Sequence, residues 1–277
     1  MNGVLERTLG ILELLSQHGE GMELAAIADR TGIPRSGVHR LLADLVRLGY
    51  VRQAKGHGEY LLTTKLVSMG LSYLSNSGIV DIAQPLLNQL ADISGELVRL
   101  SVVDGERLTW VARAQGARQG LRYDPDMGSD ATLSCSSSGW ALMSTLSDDA
   151  ALALVAQQGL GAPEQFGPAA PTSLQAVLAA VHETRERGYS LTVDTYSLGL
   201  SAMSAPVRFA GQPAIGVITI AGPTVRFTME RMQSMAPELL SVAQQLAAAS
   251  GASPFFQLTA ETGAPSDVKG RKPIYAV

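Results

Sequence analysis

Residues 24–48, LAAIADRTGIPRSGVHRLLADLVRL, constrain the fold more than any other stretch, because two amphipathic repeats meet there at a glycine. Leu24, Ile27 and Ala28 keep the i, i+3, i+4 spacing of a buried stripe, which predicts a short helix over residues 24–30. Thr31-Gly32 interrupts it. Pro34 stands where the first turn of a new helix tolerates proline, since the N–H it lacks has no intrahelical partner there. In the second helix Val38, Leu41, Leu42, Leu45, Val46 and Leu48 share one side, and Arg35, Ser36, His39, Arg40, Ala43 and Arg47 the other. That second side is basic, narrow and free of large apolar groups, which suits the major groove of DNA.

An ordinary helical hairpin with a solvated polar face gives a similar pattern, so the next residues matter. Gly49 ends the helix, and YVRQA, KGHG and EYLLT read as strand, tight turn and strand, with Arg52, Lys55 and His57 at or near the tip. The whole is a winged helix-turn-helix. Arg35, Ser36 and His39 are candidates for base-edge or mixed contacts, and Arg40, Arg47, Lys55 and His57 for phosphate contacts. Arg47, close to the helix end, equally suits the negative end of the helix dipole.

The net charge of −4 speaks against a nucleic-acid partner only while it is read as an average. Residues 1–75 carry eight Lys or Arg against seven Asp or Glu, whereas residues 76–277 carry 13 against 18. A hydrophobic content of 46% over 277 residues leaves ample apolar surface for one or two globular domains. No apolar run approaches the roughly 18 residues of a membrane span, and the first residues lack a secretory apolar core, so a cytoplasmic protein is expected. One cysteine, Cys135, and four scattered histidines give no metal-ligand spacing and point to neither a structural metal nor a cofactor.

Along the rest of the chain, residues 4–16 read as a helix with Leu5, Leu9, Leu12 and Leu15 facing the reader helices. Residues 64–75 form another, apolar over most of its surface at Leu66, Val67, Met69, Leu71 and Leu74, and in need of a partner. Ser75-Asn76-Ser77-Gly78 marks a boundary. Beyond it the periodicities predict helices over 79–94, 138–147, 148–158, 174–187 and 229–249, with Thr228 capping the last. Strands are predicted over 97–102, 108–114, 189–194, 200–209 and 214–221, the first two joined at Asp104-Gly105. The fold class is therefore α+β: a winged helix-turn-helix domain over 1–63, a linker helix over 64–78, and a second domain over 79–250 with an antiparallel sheet. The Gly-, Pro- and Ser-rich tail, 251–277, is expected to be disordered.

At this point the chain resembles the IclR family of bacterial transcriptional regulators over nearly its full length. The reader segment is joined, in order, by SSSGWAL at 136–142, RERGYSL at 185–191, GLSAMSAPV at 199–207 and GVITIAGP at 216–223. The resemblance implies a GAF-like or profilin-like effector domain that holds a small organic molecule between its sheet and covering loops. It also implies homodimers, often paired into homotetramers, with the 64–78 helix helping to join subunits. By the same likeness Ser134, Cys135, Ser136 and Ser137 flank the effector pocket, at a helix start whose N–H groups suit a carboxylate. Asp194, Ala202, Thr219 and Ala221 match positions of the pocket wall. Departures from the family pattern at Asp194-Thr195-Tyr196, Ala202 and Trp140 imply a less polar pocket, and with Trp110 and Arg122 they point to a larger or aromatic carboxylate.

Two rival functions belong to other classes. Cys135 among serines invites a nucleophile, yet a thiolate needs a base or cation beside it, and His182 falls on a helix with nothing in sequence to orient it. A ligand-independent, architectural DNA binder would share the reader and lack a working pocket.

Overall fold

The computed structural model describes residues 3–54, 58–123, 130–161 and 163–250, and its contacts divide the chain between Asn76 and Ser77. Lys55, His57 and the tail 251–277 lie outside the described residues.

In the first unit α1 (Val4–Ser16), α2 (Leu24–Thr31) and α3 (Arg35–Arg47) precede a two-stranded antiparallel wing, β1 (Val51–Gln53) and β2 (Tyr60–Leu62). Gly32 closes α2 with φ +66°, a conformation that costs a side-chain-bearing residue energy and costs glycine little. Pro34 caps α3 one residue ahead of its first turn. The core gathers Ile11 and Leu15 from α1, Ile27 and Ala28 from α2, Val38, Leu41, Leu42 and Leu45 from α3, and Val51 and Tyr60 from the wing. The stripe expected on α1 is only half right. Leu15 is buried, but Leu5 and Leu9 are 71% and 45% exposed, and Ile11 takes their place in the core. α1 packs against α2 and β2, and its buried residues, Ile11 and Leu15, lie in its second half.

α4 (Lys65–Ser77) is fastened to the reader at its start: Lys65 Nζ donates to the Leu48 carbonyl at 2.7 Å and sits 4.3 Å from the centre of the Tyr50 ring. Farther along, Val67, Met69, Leu71 and Tyr73 stay exposed.

The second unit opens with α5 (Ile79–Ser94) and then the hairpin of β3 (Leu97–Asp104) and β4 (Arg107–Gln115). After α6 (Ser137–Met143), α7 (Asp148–Gln158) and α8 (Leu174–Arg187) come β5 (Ser190–Val193), β6 (Leu200–Val207) and β7 (Gly216–Pro223). Five described strands form one antiparallel sheet in the order β4-β3-β7-β6-β5. Its two faces differ in chemistry. Val98, Leu100 and Val102 on β3, Ile218 and Ile220 on β7, and Met203 and Ala205 on β6 pack with α5 and with the last helix. By strand alternation Arg99, Ser101, Thr219, Ala202 and Ser204 look the other way, toward α6.

A bulge adjusts β4 to this plan. Leu100 pairs with Ala112 and Ser101 with Trp110, so Val111 has no partner on β3 and the alternation flips at it. Ala112 and Ala114 thereby join the α5 side, while Leu108 and Trp110 join the core beneath α6, α7 and α8. The single helix expected over 229–249 is two, α9 (Met229–Ser234) and α10 (Ala236–Ser250). Pro237 explains the break, since it has no N–H to donate to the Gln233 carbonyl and its ring crowds that oxygen, which interrupts the ladder around Met235. Thr228 caps α9, its Oγ1 accepting the Arg231 N–H.

Candidate functional site

Two sets of functional groups emerge, one in each unit. On α3, Arg35, Ser36, His39 and Arg40 are all exposed on the side opposite the buried Val38, Leu41, Leu42 and Leu45. Arg47 is exposed as well, but its guanidinium donates to Asp44 at 3.0 Å. That pairing holds it beside its own helix and lowers the cation it offers a phosphate.

In the second unit a cavity of about 380 Å³ opens on the polar face of the sheet. Five of the eight residues expected there line it: Ser136, Ser137, Ala202, Thr219 and Ala221. Ser134, Cys135 and Asp194 do not. Ser134 is turned to donate to the Leu160 carbonyl, while its own carbonyl receives the Trp140 indole N–H at 2.9 Å. Cys135 is buried, and desolvation pushes its thiol up to about 11. Asp194 holds the turn from β5 to β6: at φ +56° it adopts a left-handed conformation that Asp tolerates better than most, and its carboxylate accepts the Gly199 N–H at 2.6 Å.

The strongest feature of the cavity is a residue that the motif reading passed over. Arg99, 4% exposed at the middle of β3, lays its guanidinium 3.7 Å from the centre of the Trp110 ring on the next strand. A guanidinium stacked on an indole keeps its donors in its own plane, where they can meet a carboxylate edge-on. The sequence did carry a signal for it, a lone cation in LVRLSVV, since an arginine inside a strand covered on both faces must be buried. Arg122, the cation chosen on sequence, is exposed and off the lining.

Tyr123 and Tyr196 bring two phenols, and burial raises Tyr123 to about 12, with Tyr196 adding to the shift and Arg99 opposing it. Asp130 accepts from Thr109 Oγ1 at 2.6 Å and faces Arg107 at 3.4 Å. Thr132, Ser138, Thr192 and Leu200 complete the lining. The wall is therefore rich in hydroxyls, holds a buried cation, and sets both beside apolar surface from Trp110, Leu200, Ala202 and Ala221. Trp140 does not contribute to it; its ring belongs to the core with Leu108 and Leu133.

The local sequence dictates the start of α6. Ser136 caps it by accepting the Gly139 N–H at 3.0 Å. Gly139 must be glycine because a Cβ there would lie 2.4 Å from the Leu133 carbonyl oxygen. Nearby, Arg226 grips the buried carboxylate of Glu96 with two bonds of 2.6 and 2.8 Å and donates a third to the Leu121 carbonyl, steadying the segment that carries Tyr123. His182, expected to be unoriented, is hydrogen-bonded to Asp148 at 2.7 Å, and that carboxylate also accepts from Arg185 at 3.0 Å. Neither His182 nor Asp148 lines the cavity. Among the described residues no group of three or more His, Cys, Asp or Glu is placed to hold a metal ion, and no helix is long and apolar enough to cross a membrane.

Known proteins match this arrangement across both units. The IclR helix-turn-helix domain matches residues 4–55, and the C-terminal domain of bacterial transcriptional regulator IclR matches residues 71–248. The chain belongs to the IclR family. It is 27% identical over 248 residues to the acetate operon repressor of Salmonella typhimurium strain LT2, covering 89% of each chain. The HTH-type transcriptional repressor AllR of Escherichia coli K12 is 25% identical over 247 residues, 89% of this chain and 90% of that one. Among solved structures, an IclR regulator from Alicyclobacillus acidocaldarius superposes with a TM-score of 0.78 at 21% identity, over 91% of this chain and 100% of that one. An IclR homologue from Microbacterium hydrocarbonoxydans, crystallised with 4-hydroxybenzoate, gives 0.75 at 17% identity over the same shares. As an IclR-family protein this chain is a transcriptional regulator and not an enzyme. The buried, strongly protonated Cys135 fits that assignment, because a nucleophile needs its thiolate.

Proposed function

We infer that this IclR-family regulator binds operator DNA through α3 and the wing, and that a small organic acid in the cavity changes that binding. The observation that carries the reading is Arg99, a buried cation stacked on Trp110 in the wall of a cavity near the small end of the usual range of about 300–1,000 Å³ for ligand sites. A buried guanidinium in a cavity wall offers a carboxylate planar donors and a charge already held out of water. The aromatic lining favours a planar acid, and the neighbour that holds 4-hydroxybenzoate shares the fold.

On the DNA side, Arg35, Ser36 and His39 reach base edges, Arg40 and Arg47 reach phosphates, and Lys55 and His57 extend the contact from the wing. The exposed apolar side chains of α1 and α4 support a homodimer, which sets two readers about one helical turn of DNA apart. Such a protein works in the cytoplasm on a metabolic or catabolic operon.

The test is a fluorescence-anisotropy titration of the full chain against DNA flanking its own gene, with and without benzoate, 4-hydroxybenzoate and pyruvate. A regulator that senses an acid changes its DNA affinity in the presence of one of them, by linkage between the two sites. DNA affinity that no acid alters would favour the architectural reading instead.

A further inference from the structure

A serine or threonine hydroxyl has one hydrogen to donate and two lone pairs with which to accept. That limit sorts the hydroxyls of the cavity wall. Ser136 Oγ donates to the Thr132 carbonyl at 2.6 Å and accepts the Gly139 N–H, so the 3.2 Å contact with Ser138 Oγ has Ser138 as donor. Both of these serines are committed to the helix start. Thr192 Oγ1 donates to the Ala202 carbonyl at 3.1 Å.

The remaining three form a directed chain. Ser204 Oγ donates to Ser137 Oγ at 2.8 Å and lies 2.7 Å from Thr219 Oγ1. Its one hydrogen is taken, so Thr219 donates to Ser204. The order is Thr219 to Ser204 to Ser137, and at its end the Ser137 hydrogen meets no acceptor among the described residues. Ser137 is 3% exposed and lines the cavity. Bonds arranged head to tail in a low dielectric polarise one another, which makes the terminal hydroxyl a better donor than an isolated serine. Arg99 pairs with Thr219 across β3 and β7, so its charge stands on the same row of the sheet.

We propose that Ser137 is a specificity-determining donor for the effector: its Oγ–H bonds an acceptor oxygen of a carboxylate that lies over Thr219, between Ser137 and Arg99. This rests on the effector reading above and sharpens it. The site calls for an oxygen acceptor with negative charge, and an ammonium there would meet a donor and a guanidinium. Ser204 is a positioning residue, buried and off the lining, that acts only through Ser137.

The experiment is calorimetric titration of the full chain with benzoate, 4-hydroxybenzoate, pyruvate and benzylamine, each variant first shown to be folded by thermal melting. An acid is expected to bind and benzylamine not. Ser137→Ala should weaken the acid by about 10- to 100-fold, the worth of a hydrogen bond to a charged group. Ser137→Thr, which keeps the hydroxyl, should restore most of the affinity, and Ser144→Ala, which removes a hydroxyl at the far end of α6 and off the lining, should leave it within about threefold. Ser204→Ala breaks the chain without touching ligand and should cost less than Ser137→Ala, which keeps the proposal testable if that variant does not fold. Unchanged acid binding in both Ser137→Ala and Ser204→Ala overturns the relay and leaves the effector reading standing. Failure of every acid to bind the wild-type chain overturns the effector reading and the relay with it.

Discussion

The two polar regions of this molecule solve opposite problems. The face of α3 draws its groups from a helix of 13 consecutive residues and keeps them in water, where a DNA backbone can reach them. The cavity draws Arg99, Asp130, Ser137, Tyr196 and Thr219 from distant parts of the chain and withdraws most of them from solvent. A polyanion is met by exposed cations at little cost in desolvation, while a small acid needs a cation already held in a low dielectric. Only the second arrangement depends on close packing of the whole unit.

The largest effects should therefore come from the packing that supports the cavity. Alanine at Gly139 puts a Cβ 2.4 Å from the Leu133 carbonyl oxygen, a backbone atom that cannot swing away. Gly139→Ala should destabilise the second unit by about 3 kcal/mol or more in a denaturant melt. Gly37→Ala, in the reader helix, meets only Ile33 Cγ2 at 3.1 Å. There the helix preference for Ala, up to about 1 kcal/mol, should offset the tighter contact and leave stability nearly unchanged. Equal losses at the two sites would remove the contrast.

Ion pairs offer a second comparison. Glu96 is 2% exposed and gripped by Arg226, whose own pKa is raised by that bond. Arg226→Ala leaves a buried carboxylate without its partner. The arginine side chain is 41% open, so solvent screening holds the expected loss to about 2 kcal/mol. In the reader the Arg47–Asp44 pair is exposed on both sides, and Arg47→Ala should cost less than about 0.5 kcal/mol of stability.

Binding to DNA reverses the ranking of the arginines. On the proposed interface Arg40→Ala should lower affinity for all sequences by about tenfold and flatten the dependence of log K on log salt by about one phosphate contact. Arg47→Ala should do less, because Asp44 already holds its guanidinium. Anisotropy titrations at two salt concentrations measure both, and an unchanged slope for Arg40→Ala would take that residue out of the interface.

What could be read in the sequence follows the same division. α2, the turn at Gly32 and the two faces of α3 were legible because helical periodicity and turn chemistry act over a few residues. The order of strands and helices in the second unit was legible for the same reason, and family likeness placed Ser136, Ser137, Ala202, Thr219 and Ala221 near the cavity. Arg99 and Trp110 meet only because a bulge at Val111 turns Trp110 onto the face that Arg99 shares. No local pattern announces that bulge. Ser134, Cys135 and Asp194 stand one or two positions along the chain from lining residues and do not line the cavity themselves, since adjacent residues at a turn or helix start point different ways. The split before Pro237 has a local signal, the proline itself, but the apolar periodicity runs on across it and reads as one helix.

The smallest expected effect tests whether location in the cavity's unit is enough to make a charge matter. Asp148 belongs to that unit but sits at its surface, where hydrogen bonds from His182 and then Arg185 hold its carboxyl below the usual carboxylate range. A carboxylate depressed in the folded state stabilises the fold above the unfolded value of about 4, and that stabilisation fades as pH falls through the depressed value. Asp148→Asn should therefore lower the melting temperature slightly at neutral pH, with the difference from wild type shrinking on acidification below pH 4. A gap that persists unchanged down to pH 2 would mean that Asp148 acts through packing at the start of α7, with no contribution from its charge. Its effect at neutral pH should fall well below that of Arg226→Ala, because water competes for every partner Asp148 has, whereas Glu96 has none but those the protein supplies.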